Sequence, residues 1–97
     1  VLRIAYGAGS RLVEPHVCGM GRAGHGLLRA FQTEGASASG AARAWKLFRL
    51  DRIESAEILD RTFSGPRPRY RRRDRALKGP TVGIRGHEKS PESRAAP

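Results

Sequence analysis

The chain has 97 residues, 19 Lys and Arg against nine Asp and Glu, a formal net charge of +10 and 38% hydrophobic residues. That length supports one small domain with a small core. No apolar run is long enough for a membrane-spanning helix, and the lone cysteine, Cys18, excludes an intrachain disulfide and a cysteine-built zinc site.

The first 60 residues read as strands separated by glycine-rich turns. Leu2, Ile4 and Tyr6 alternate with Arg3 and Ala5, the period-2 pattern of a half-buried strand. Gly7-Ala8-Gly9-Ser10 makes a tight turn, and Arg11 to Cys18 form a second strand. Pro15 lies inside that strand, so it is expected either at a sheet edge or bent at the proline. Gly19-Met20-Gly21-Arg22-Ala23-Gly24 turns the chain again, and Leu27 to Gln32 make a third strand. Residues 35–42 are small and polar, an exposed loop. Trp45 to Leu50 form a fourth strand, with Trp45 and Leu47 alternating with Lys46 and Phe48. After Asp51-Arg52-Ile53, residues 56–59 supply a fifth. The spacing of Leu50, Ile53, Glu54 and Glu57 also fits a helix, but a turn and strand agree better with the strands before it. Five short antiparallel strands suggest a mainly β fold, a small SH3-like or Sm-like barrel, whose closure removes the sheet edges. Its expected core is Leu2, Ile4, Val13, Leu28, Trp45, Leu47, Leu50, Ile53, Ile58 and Phe63.

Charge divides the chain. Residues 1–60 hold eight Lys and Arg against six Asp and Glu, a net +2, whereas 61–97 hold eleven against three, a net +8. The expected organisation is a barrel over 1–64, a basic extension over 65–85 and a disordered tail over 86–97. Val82 and Ile84 alternate, leaving room for a short extra strand in the extension. Within Arg67-Pro68-Arg69-Tyr70-Arg71-Arg72-Arg73-Asp74-Arg75, a base could stack on Tyr70 while the arginines hold phosphates. Charge alone gives only non-specific affinity, and a solubilising linker fits the composition as well.

Val13-Glu14-Pro15-His16, the glycine-rich turn, Leu27-Leu28-Arg29-Ala30 and Phe48-Arg49-Leu50-Asp51-Arg52-Ile53, with Phe63 about ten residues on, resemble the WYL domain over about residues 1–64. The resemblance implies an Sm-like five-stranded barrel. It implies a place in bacterial transcription regulation, where WYL domains usually follow a winged or helix-turn-helix DNA-binding domain and sense nucleic acid or nucleotide through a basic patch. Here the naming Trp-Tyr-Leu triplet falls on Gly26-Leu27-Leu28, and Lys46 stands where an arginine is usual. Lysine keeps the charge and loses the planar fork that grips phosphate.

Candidate nucleic-acid or anion-binding residues are therefore Lys46, Arg49 and Arg52 on the barrel and Arg69, Tyr70, Arg71, Arg72 and Arg73 on the extension. Arg49 and Arg52, with Lys46 nearby, could equally be solvated or paired with Asp51 or Glu54. Trp45 reads more as core or rim than as a stacking platform. Glu14 reads as a strand-edge acid, paired with Arg11. His16 and Cys18 would share a strand face, but two ligands do not make a metal site, so no metal or cofactor is expected. No nucleophile has a positioned base, and an enzyme is the least favoured class. The leading expectation is a WYL-like regulatory module, cytoplasmic because no secretory signal is visible. It would bind single-stranded DNA, RNA or a nucleotide. The alternatives are a barrel that pairs through a strand edge with a separate helix-turn-helix subunit, or a diverged fragment without activity. The start at Val1 fits a fragment or an alternative start codon.

Overall fold

A computed structural model describes residues 1–7, 9–37 and 39–84. The expected tail over 86–97 lies outside the described residues, as do Ala8 and Ala38 of the two expected loops. Six strands appear: β1 Leu2–Tyr6, β2 Gly9–Gly21, β3 Gly26–Gly35, β4 Ala44–Arg49, β5 Ile53–Ile58 and β6 Leu77–Gly83, with a single 3-10 turn, Leu50–Arg52, between β4 and β5. The expectation of a turn and strand after Leu50, rather than a helix, therefore holds. No described helix is long and apolar enough to cross a membrane.

All pairings are antiparallel, in the order β4-β3-β2-β1-β5, and β6 joins β2 off that path. β2 is the spine. Along one flank β3 pairs with it from Arg11 to Met20. Along the other, β1 takes Gly9 to Val13 and β6 takes Val17 to Gly21. Pro15, which has no N–H to donate, falls in the gap between those two partners, where the β2–β3 register shifts between Pro15 and Val17. Of the two places expected for this proline, the bend is the observed one, in a central strand. The sheet is open: no ladder joins β4 to β5 among the described residues.

Registers place Leu2, Ile4, Tyr6, Arg11, Val13, Cys18, Leu28, Ala30, Gln32, Lys46 and Phe48 on one face. Ile4, Val13, Leu28, Ala30 and Phe48 form its buried core, with Leu2, Tyr6, Cys18 and Ile53 packed against them. The sheet curls enough for the Tyr6 and Phe48 rings to meet edge-on at 4.9 Å, and Arg49 N–H donates to the Tyr6 hydroxyl at 3.1 Å. β4 is thereby tied to β1 across the core. Gly35 lets β3 end against β2, since its φ is +115° and a Cβ there would collide with the Ser10 carbonyl.

The expected core needs three corrections. Phe48, assigned to the outer face, is inside at 1% exposure, and Leu47 is exposed. Leu50 and Ile58 are also exposed, Ile58 at 84%, because the sheet does not close over them. Trp45 and Phe63 are half-buried on the opposite face. That face is covered by residues 63–76, which return as a strap before β6. The described part of the basic extension, 65–84, therefore folds back onto the sheet. In β6, Gly79 at φ +75° forms the bulge that carries the strand past Pro80 to rejoin β2 at Gly19.

Candidate functional site

The strap is fastened by groups that the sequence separates widely. Arg67 forks onto Glu14, Nε to Oε1 at 2.6 Å and Nη2 to Oε2 at 2.8 Å. Glu14 is therefore the partner of Arg67 rather than of Arg11, and that hydrogen-bonded guanidinium holds its carboxyl below the usual range. Arg29 of β3 holds Asp74 in the same way, at 2.7 and 3.3 Å, and Asp74 also accepts the Ala76 N–H at 2.9 Å. Its carboxyl is lowered too, mainly by Arg29. The Trp45 indole N–H donates to the Pro68 carbonyl at 3.0 Å.

His16 sits at the centre, 1% exposed. Its Nδ1 lies 2.8 Å from the Glu14 carbonyl and its Nε2 accepts the Arg67 N–H at 3.1 Å. This pairing requires the neutral ring with its proton on Nδ1, and burial pushes its pKa down. The rings of Trp45, Phe63 and Tyr70 surround it at 4.7, 5.2 and 5.2 Å. The bulge at Pro15 turns His16 to the strap while Cys18 packs on the core, so the two residues expected on one face lie on opposite faces. No cluster of three His, Cys, Asp or Glu occurs among the described residues.

Over this base lies a cleft of about 160 Å³ lined by Arg29, Trp45, Arg69, Tyr70, Arg71 and Asp74. A cavity of about 150 Å³ accommodates one benzene-sized ring. The Trp45 and Tyr70 rings are 20° from parallel with centroids 6.5 Å apart. Asp74 neutralises Arg29, whereas Arg69 and Arg71 form no ion pair among the described residues. Tyr70 N–H bonds the Arg67 carbonyl at 3.2 Å, closing a turn with Pro68 and Arg69 at its centre. Arg69 has φ +75°, the only non-glycine in the left-handed region among the described residues. The turn requires that sign at its third position, normally filled by glycine or asparagine. An arginine there carries strain of order 1–3 kcal/mol.

The candidate residues are thus dispersed. Arg69, Tyr70 and Arg71 share the cleft, and Arg72 and Arg73 are exposed further along the strap. Lys46 and Arg49, three apart on β4, point to opposite faces. Lys46 donates to the Ser37 and Ser39 hydroxyls at 2.8 and 3.0 Å, and Arg49 forks onto Asp51 at 3.0 and 2.7 Å. The 3-10 turn removes the regular spacing by which Arg52 would share a face with Lys46; Arg52 borders a separate groove with Tyr6 and Glu54. Trp45, Arg29 and Asp74 were not expected in a site. No family model, curated protein or solved structure matches the chain.

Proposed function

We propose that this chain is a small regulatory binding module of the WYL-like kind that takes single-stranded nucleic acid or a nucleotide in the strap cleft. The near-parallel Trp45 and Tyr70 rings, beside Arg69 and Arg71 in one cleft, carry this reading. A base stacks on an aromatic ring while arginines hold the flanking phosphates. The strain accepted at Arg69 supports it, because glycine would fit that turn without cost. The strand order supports the barrel reading only in that joining β4 to β5 would close the open sheet. A role in bacterial transcription regulation rests on the WYL resemblance alone.

The test is fluorescence anisotropy on the full chain with labelled single-stranded DNA, the matching RNA and a duplex. The expected result is a preference for one of the single strands, weakened steeply between about 50 and 200 mM salt. Arg71→Ala should weaken binding and flatten the salt slope. Equal affinity for all three probes would sink the reading.

A second reading has its own observation. The outer edges of β4 and β5 have no ladder partner among the described residues, so a strand of another protein, such as a helix-turn-helix subunit, could add there. Binding by edge pairing would change little with salt.

A further inference from the structure

The core face carries an unsatisfied cation. Arg11 is 8% exposed, and a guanidinium cannot shed its charge. The ion-paired carboxylates among the described residues belong to Arg3, Arg29, Arg49 and Arg67, so none serves Arg11. Its Nη1 donates to Gln32 Oε1 at 3.3 Å, and its Nε is buried with no hydrogen-bond partner. The Tyr6 and Phe48 rings flank it at 5.3 and 5.5 Å. They attract the charge without accepting its remaining N–H bonds in oxygen geometry. The Nη2 end reaches the turn after β1, 4.0 Å from where a Cβ on exposed Gly7 would stand.

Lys46 lies on the same face, two residues along β4 from Phe48. Gln32 links the two cations: its Nε2 donates to the Ala36 carbonyl at 2.9 Å, one residue before the Ser37 hydroxyl that receives Lys46. Arg11 and Lys46 are thus linked through Gln32, Ala36 and the Ser37 hydroxyl, and neither has a carboxylate ion-pair partner among the described residues, although Asp51 and Glu54 line the groove beside Gly7 together with Arg52. Arginine supplies a planar fork and lysine a point charge, the combination that holds phosphate oxygens.

We propose that Arg11 and Lys46 form an anion site for a phosphate group, approached beside Gly7 and separate from the strap cleft on the other face. The measurement is thermal unfolding of the full chain at neutral pH and matched ionic strength in chloride, inorganic phosphate or adenosine monophosphate. Phosphate should raise Tm saturably relative to chloride. Lys46→Met should weaken the apparent phosphate affinity about tenfold, the effect of losing one charged contact of about 1.4 kcal/mol. Arg11→Met should abolish the response while raising Tm in chloride, because an uncompensated buried charge is gone. Lys46→Met carries the test if Arg11→Met does not fold. A larger rise with adenosine monophosphate, lost in the same variants, identifies the phosphate as part of a larger ligand. The proposal is overturned if neither anion differs from chloride, or if the rise survives Lys46→Met unchanged. It is also overturned if only adenosine monophosphate acts and Arg69→Gly removes that effect, which would assign it to the cleft.

Discussion

The two faces of one sheet are held in different ways. On the core face, Ile4, Val13, Leu28, Ala30 and Phe48 are excluded from water, and apolar burial does most of the work. On the strap face, half-buried rings alternate with two forked ion pairs, Arg67 with Glu14 and Arg29 with Asp74. Apolar contact is non-directional and tolerates many partners. Forked pairs fix direction and register, and they place Arg69 and Tyr70 over Trp45. The first face supplies stability; the second supplies geometry, and its stability depends on pH and salt.

That contrast can be broken most severely at Phe48. Phe48→Ala should cost about 3–5 kcal/mol by urea unfolding, which for so small a domain approaches the whole stability. Glu14→Gln should cost less, about 2 kcal/mol, because the Arg67 side chain is 30% exposed and regains water. Its mark should be local, with amide exchange accelerating through the strap before the core. A smaller loss than that of Phe48→Ala, spread evenly over both faces, would contradict the division.

The acid response sharpens the comparison. The folded chain holds His16 below its ordinary 6.5, so the unfolded chain takes up the proton first as pH falls. Stability from His16 is complete above about 6.5 and declines below it, while Glu14 and Asp74 add their losses below about 4.5 and 3.8. Urea midpoints should therefore begin to drop near pH 6.5, and His16→Gln should remove that first decline while leaving the lower one. The smallest effect has the opposite sign. Arg69→Gly relieves the turn and should raise stability by about 0.5–1 kcal/mol while weakening nucleic-acid binding. Loss of stability on that substitution would remove strain from the account of Arg69.

Alternation and glycine turns made five of the six strands legible. The phase of β4 was not, because a strand covered on both faces has apolar residues on both, and Trp45, Leu47 and Phe48 read equally well either way. Of β6, the alternation of Val82 and Ile84 hinted at a short strand, but its start at Leu77 was hidden by Gly79 and Pro80, which look like breakers and here make a bulge. Of the cleft, Tyr70 and its arginines stood out by composition. Arg29, Trp45 and Asp74 did not, since nothing local couples β3 and β4 to a strap dozens of residues later.

β2 has one more consequence. Its flank from Val17 to Gly21 is filled by the last described strand. During synthesis that stretch emerges early and waits, bare, while everything between is made. Its unpaired N–H and C=O groups can meanwhile accept a neighbouring nascent chain or a slipped β1.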